Sequence, residues 1–166
     1  MKWLEKYARN KLLKRAKQQT RKVTLCSPEQ VKKVGIVWHE ENREAFQFLQ
    51  DYFRKNGTIV RNICYSEAKF SSDSQVITKK QTNWLGFPLG GATDEFIRSE
   101  FELLLNVTTR PCFALEVITG LSAASFKAGW DYNQSGFYDL SVDISVQPDA
   151  RYLAEQLIFY LQTLNK

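Results

Sequence analysis

Histidine and cysteine are scarce in this chain, and their scarcity excludes most metal sites. The 166 residues include one histidine and three widely separated cysteines, Cys26, Cys64 and Cys112. These residues offer neither zinc-ligand spacing nor a disulfide framework. We therefore expect no metal and no cofactor, and we expect the thiols to be buried, inert and kept in a reducing compartment.

Long apolar runs are also missing. No segment approaches the roughly 20 apolar residues that a membrane-spanning helix needs, and the first six residues lack the apolar core of a secretory signal. Hydrophobic residues make up 43% of the chain and charged residues 25%, which is typical of a globular protein. The sequence therefore predicts a cytoplasmic protein without a transmembrane segment, and leaves peripheral attachment to a membrane open.

Charge is distributed unevenly along the chain. Residues 1–22 carry nine Lys or Arg against Glu5 alone, a net charge of +8, whereas the remainder carries −3. Because salt screens exposed charges beyond about 8 Å, this local imbalance matters more than the overall charge. We divide the chain into a basic amphipathic N-terminal helix, 1–22, and a single α/β domain, 23–166.

The basic segment has the composition of a helix from Lys2 to about Gln19, with strong helix formers and no Gly or Pro. Its predicted apolar stripe consists of Trp3, Leu4, Tyr7, Ala8, Leu12 and Ala16, with Leu13 beside it. The candidate residues for binding an anionic surface are Lys2, Lys6, Arg9, Lys11, Lys14, Arg15, Lys17, Arg21 and Lys22. Basic amphipathic helices bind nucleic-acid phosphates or membrane headgroups. Alternatively, the stripe packs on the protein's own domain and the lysines form a solvated face.

The fold is organised around residues 101–144. Three apolar runs in this stretch have strand character, Phe101–Val107, Ser125–Trp130 and Tyr138–Ile144. Between the first two runs, Pro111–Leu121 has apolar residues at helical spacing. A strand, a helix and a second strand form the crossover unit of a parallel sheet.

An earlier strand–helix–strand unit precedes it. Val34–Trp38 and Thr58–Cys64 are predicted strands, and a helix from Glu41 or Asn42 ends at Asn56-Gly57 with a left-handed cap. The fold class is therefore α/β: a single Rossmann-like, mostly parallel sheet flanked by helices.

The other segments are less regular. Ser66–Thr93 shows no second helix, only a short strand at Gln75–Thr78. Thr93 is predicted to cap a short helix over Asp94–Ser99. A C-terminal helix begins at Pro148-Asp149, and its wide apolar face is expected to cover one face of the sheet.

Several segments resemble an uncharacterised family of small bacterial proteins, a domain of unknown function. They are Val34-Gly35-Ile36-Val37, Asn83-Trp84-Leu85-Gly86, Phe101-Glu102-Leu103-Leu104, Ala124-Ser125-Phe126-Lys127-Ala128-Gly129 and Tyr138-Asp139-Leu140. The resemblance covers nearly the whole chain and implies a small cytoplasmic protein without assigned catalytic residues. More loosely, the chain is similar to the N-terminal Rossmann-like half of heptosyltransferase-type enzymes. The second half of those enzymes, which carries their sugar-nucleotide site, has no counterpart in these residues.

A ligand crevice is predicted where two strands end. His39 and Glu40 follow the first strand, and Thr108, Thr109 and Arg110 precede the central helix. Hydroxyls, a guanidinium and helix amides suit an anion such as a nucleotide or phosphosugar, and His39 beside Glu40 could in principle act as a general base. Two features count against such a site. The Gly-x-Gly-x-x-Gly pattern, which lets the backbone approach a pyrophosphate, is missing, and the carboxylates of Glu40 and Glu41 repel phosphate. No catalytic residue is assigned.

The leading hypothesis is a non-enzymatic binding or accessory protein tethered to an anionic partner through residues 1–22. RNA or a ribonucleoprotein is favoured over an anionic membrane surface, and the acidic body is expected to meet a protein partner. The alternative is a small-molecule binding protein or degenerate enzyme that uses the crevice.

Overall fold

A computed structural model describes residues 2–165 as one parallel sheet with helices on both faces. The strands are β1 (Lys33–His39), β2 (Ile59–Tyr65), β3 (Val76–Ile77), β4 (Leu103–Asn106), β5 (Lys127–Gly129) and β6 (Leu140–Ser141). The helices are α1 (Trp3–Lys17), α2 (Arg43–Lys55), α3 (Gly91–Arg98), α4 (Phe113–Leu121) and α5 (Ala150–Leu164). The strand order is β3-β2-β1-β4-β5-β6 and every pairing is parallel. The predicted α/β class is confirmed.

One face of the sheet is covered by α2 and α5. Leu49 and Phe53 of α2 are fully buried against Leu157 and Leu161 of α5 and the adjoining strands. Asp149 caps α5 because its carboxylate accepts the Tyr152 amide. The prediction that the C-terminal helix covers one face is therefore confirmed. At the end of α2, Gly57 adopts a φ of 76°, which is the left-handed cap expected there.

The opposite face is covered by α3 and α4, with α1 lying beside α4. Alternate residues of β1 point to opposite faces: Ile36 belongs to the α2–α5 core and Val37 to the α3–α4 core. Gly35 also faces α3 and α4, since a Cβ at this position would stand 2.7 Å from the Phe101 ring. The missing side chain at Gly35 therefore lets the Phe101 ring approach the strand closely.

The later strands are shorter than predicted. β4, β5 and β6 contain four, three and two residues. Flanking residues such as Phe101 and Ile144 are buried, but they lie outside the strands. Their apolar character reflects burial in loops over the core, so apolar runs overstate the strand lengths.

The sequence predicted the link between β2 and β3 correctly, but it did not predict the start of α3. The link from β2 to β3 has no helix, as expected, and the short strand β3 lies within Gln75–Thr78. The predicted cap of α3 is wrong. This helix begins at Gly91 with Gly90 as its N-cap at a φ of 119°, and Thr93 is buried in its first turn. Gly90 allows an entry angle that other residues rarely adopt.

Candidate functional site

The N-terminal helix α1 is docked on the protein. Ala8 and Leu12 are buried in an apolar cluster with Phe87, Val117 and Phe137, and Leu12 is fully enclosed. One polar contact reinforces this packing, because Arg9 donates to Glu116 at 2.9 Å. The inward side of α1 is therefore used by the protein itself.

The segment that follows α1 is tied to the sheet as well. Gln19 donates from its side-chain amide to the carbonyls of Leu121 and Ser122, at 2.6 and 2.7 Å. Arg21 donates to the carbonyls of Ala124 and Ser125, at 3.2 and 3.3 Å. These contacts place the segment beside the end of α4 and the start of β5. Both α1 and the segment that follows it are therefore anchored to the rest of the protein.

The predicted apolar stripe of α1 is only partly correct. Trp3 is 76% exposed and Tyr7 52% exposed, so both face away from the protein. At 3.6 residues per turn, Lys6, Lys14 and Lys17 share this outward face with the two aromatic rings. The outward face of α1 therefore combines aromatic and cationic side chains.

Most of the basic side chains predicted to bind an anionic surface are exposed. Arg9 and Arg21 are the exceptions, since their guanidinium groups pair with Glu116 and Asp139. The exposed members are Lys2, Lys6, Lys11, Lys14, Arg15, Lys17 and Lys22. We call these seven side chains the basic face of the N-terminal segment.

The predicted crevice residues do lie at the carboxyl edge of the sheet, but their polar groups have partners within the chain. His39 is buried, and its Nε2 lies 3.2 Å from the carboxylate of Glu67. Glu40 accepts from the Ser66 hydroxyl, and this hydrogen bond lowers the pKa of the Glu40 carboxyl. Arg110 forms an ion pair with Glu41.

The threonines of the predicted crevice behave differently from each other. The buried Thr108 donates both its amide and its hydroxyl to Asn106 Oδ1, at 2.9 and 2.7 Å. Asn106 in turn donates to the Thr119 hydroxyl at 3.0 Å. Thr109 is half-buried and does not cap α4, whose N-cap is Cys112. Thr108 therefore belongs to a closed network inside the protein.

The cavities at this edge lie next to the predicted crevice. One, of 420 Å³, is lined by residues of α1, α4 and the preceding loop, including Ala8, Arg9, Phe113 and Glu116. A second, of 300 Å³, shares Gly86, Pro111 and Phe113 with the first. His39, Glu40 and residues 108–110 line neither cavity. The nucleotide or phosphosugar alternative stays a prediction.

Sequence reasoning missed a buried lysine. Lys127 is 2% exposed, and its ammonium nitrogen lies 3.3 Å from the Gly120 carbonyl. Burial, reinforced by the nearby charge of Arg21 and opposed by that of Asp139, lowers the pKa of Lys127 to about 7. The apolar neighbours in Ala124-Ser125-Phe126-Lys127-Ala128-Gly129 were the available signal, because a strand buried on both faces buries every side chain.

The thiols differ in burial. Cys64 is buried, whereas Cys26 and Cys112 are only half-buried, so the prediction of buried cysteines is wrong for two of the three. Burial raises the pKa of all three thiols, to about 12 for Cys64 and about 11 for Cys112.

Within residues 2–165, no group of three or more His, Cys, Asp or Glu side chains is placed to hold a metal ion. Over the same residues, no helix combines the length and apolarity needed to cross a bilayer.

Fold and surface define an all-parallel α/β protein with a cationic helix docked on one side. The chain belongs to a family of unknown function, DUF6913, whose family model matches residues 1–164. This confirms the predicted resemblance to an uncharacterised family. No curated protein matches the chain, and no solved structure does. The looser resemblance to heptosyltransferase-type enzymes has no support in these comparisons.

Proposed function

We propose that this protein is a non-enzymatic accessory protein that binds RNA through the basic face of its N-terminal segment. The observation that supports the proposal is the orientation of α1. Its apolar side is buried on the protein, and seven of the nine basic side chains in residues 1–22 are exposed. A folded surface of this charge attracts a polyanion without further rearrangement.

The orientation of α1 favours RNA over a membrane surface. An interfacial helix binds by burying its apolar face about 5–10 Å into the lipid headgroup region. In α1 that side holds Ala8 and Leu12, which already pack on the protein. Insertion would require the helix to leave its site and expose the apolar cluster beneath it.

The aromatic side chains of the outward face suit nucleic-acid bases. Trp3 and Tyr7 are the exposed large apolar residues of α1, and they lie four positions apart in the sequence. The helix rise places them about 6 Å apart along the axis. Proteins that bind single-stranded nucleic acids commonly combine exposed aromatic rings with basic side chains. The bases stack on the rings, and the cations bind the phosphates.

The test compares charge reversals on two surfaces of the full-length protein. In one variant Lys6, Lys14 and Lys17 are changed to Glu. In the matched control Lys32, Lys55 and Lys69, which are also exposed but lie outside residues 1–22, are changed to Glu. Both variants have the same net charge, so any difference between them reports location.

Binding is measured by fluorescence anisotropy with a labelled 20-nucleotide RNA at several salt concentrations. We expect wild type and control to bind, and the α1 variant to lose affinity. We also expect its plot of log K against log salt to flatten by about two, since each contact to a single strand contributes about 0.7. Equal losses in the two variants would disprove the placement on α1. Sedimentation with phosphatidylserine vesicles, without any binding to RNA, would assign the surface to membranes instead.

A further inference from the structure

A second exposed tryptophan lies on the loop that packs beneath α1. Trp84 is 73% exposed, although the residues beside it are buried or half-buried. Large exposed aromatic side chains are common anchors for binding partners, because they offer extensive apolar surface at low conformational cost.

The turn that carries Trp84 is fixed by four hydrogen bonds centred on Asn83. The Asn83 side-chain oxygen accepts from the amides of Leu85 and Phe87, at 2.9 and 3.0 Å. The Asn83 amide donates to the Phe87 carbonyl at 2.8 Å, and the Gly86 amide donates to the Asn83 carbonyl at 2.9 Å. Gly86 has a φ of 92°, which only glycine adopts without strain.

The same turn is anchored from below. Leu85 and Phe87 are buried in the cluster that holds Ala8 and Leu12 of α1. Phe87 also makes an edge-to-face contact with Phe113, with 5.4 Å between ring centroids. Because Leu85 and Phe87 are both buried, the turn presents the exposed Trp84 to solvent in a preorganised position.

Cationic groups of α1 lie over this turn. The Lys11 ammonium is 5.8 Å and the Arg15 guanidinium 5.4 Å from the centroid of the Phe87 ring. Trp84 is three residues from Phe87, so their backbones lie within about 11 Å of each other. Trp84 therefore belongs to the same short turn as the ring that the two cations cover.

We infer that Trp84 is a base-stacking platform and that the RNA is bound as a single strand, with its phosphates on Lys11 and Arg15. This inference rests on the proposed function and extends the surface beyond α1. A protruding indole needs an unstacked base, which a single strand supplies and a duplex does not. Charge complementarity selects a polyanion rather than an apolar protein segment as the occupant.

The test uses full-length Trp84→Ala, with Trp84→Phe as the variant that keeps an aromatic ring. Phe70→Ala is the matched control, because Phe70 is also 73% exposed but lies on the loop after β2. The probes are a labelled 12-nucleotide oligoadenylate and the same strand annealed to oligouridylate. Thermal unfolding and circular dichroism verify that the variants fold.

We expect Trp84→Ala to weaken binding of the single strand about tenfold, which is the size of effect that loss of one stacked base should have. Trp84→Phe should retain most of the affinity, and Phe70→Ala should match wild type. The salt dependence of Trp84→Ala should stay that of wild type, since no charge is removed.

Two failures can be told apart. Wild-type affinity of Trp84→Ala for the single strand, or an equal loss on single strand and duplex, overturns the role of Trp84 and leaves the α1 proposal standing. Failure of the wild-type protein to bind either probe overturns both proposals.

Discussion

Arg21 and Asp139 form an ion pair across 118 residues of sequence, with 2.8 Å between the guanidinium nitrogen and the carboxylate oxygen. Their side chains are 17% and 16% exposed. The second oxygen of Asp139 accepts the backbone amide of Lys127 at 2.8 Å. One carboxylate therefore connects the segment after α1 to strand β5.

Replacement of Asp139 by Ala should destabilise the protein. The variant leaves the Arg21 guanidinium and the Lys127 amide without their shared acceptor, and loss of such a partner costs about 1–3 kcal/mol. Urea denaturation at pH 7 measures the change in the free energy of unfolding. Glu100→Ala is the control, because Glu100 is exposed and should change this value by less than about 0.5 kcal/mol. Similar stabilities of the two variants would mean that the Arg21–Asp139 pair contributes little.

Replacement of Lys127 by Met should stabilise the protein at neutral pH. Burial lowers the pKa of Lys127 from 10.5 to about 7, so between these values the unfolded chain binds a proton that the folded chain does not. Wild-type stability therefore rises with pH across this window. Met carries no charge to bury, and the variant should gain roughly 1–4 kcal/mol at pH 7.

The pH dependence of the stability gain distinguishes removal of the buried Lys127 charge from better packing of the Met side chain. The stability advantage of Lys127→Met over wild type should shrink as the pH rises from 7 towards 10.5. Near pH 10.5 Lys127 loses its proton in the unfolded chain as well as in the folded one. Urea denaturation at pH 7, 8 and 9.5 gives the three differences. A gain that is constant across this range would show that titration of Lys127 is not its source.

Replacement of Leu12 by Ala should weaken the docking of α1. Leu12 is fully buried between α1 and the apolar cluster, and truncation of such a leucine costs about 2–5 kcal/mol. Leu164→Ala at a half-exposed position of α5 is the matched control. Chemical denaturation measures both variants. Limited trypsin digestion should cut the Leu12→Ala protein faster within residues 1–22, and an unchanged cleavage rate would contradict the role of this contact.

The thiols should be unreactive in the folded protein. Burial raises the pKa of Cys64 to about 12 and that of Cys112 to about 11, so almost no thiolate is present at pH 8. A chromogenic disulfide reagent should modify them slowly in buffer and modify all three cysteines rapidly in guanidinium. Rapid reaction of Cys112 in the native protein would show that its surroundings open in solution.

The fold was largely predictable because apolar spacing reports burial. Helices α2 and α5 followed from their periodic apolar positions, and the parallel sheet followed from alternation of strands and helices. Strand ends were not predictable, because residues such as Phe101 are buried without joining a strand. The start of α3 depended on the backbone freedom of Gly90, which was not recognised as a helix cap.

The candidate site was predictable in charge but not in orientation. Composition alone identified the basic residues of the N-terminal segment. Which of them are paired internally depends on Glu116 and Asp139, which lie more than 100 residues away. Likewise, the predicted stripe grouped Trp3 with Leu12, although nine positions at 3.6 residues per turn place them on opposite sides of α1, and the structure buries Leu12 while Trp3 is exposed.

Both edges of the sheet are strands of only two residues, β3 and β6. Such edges offer few unpaired amides and carbonyls to another chain, and the exposed Lys79 and Lys80, two and three residues after β3, add repulsion between copies. Copies brought close together, as RNA binding of the proposed kind would do, should therefore resist joining into a continuous intermolecular sheet. The short outer strands make the protein suited to high local concentration without aggregation.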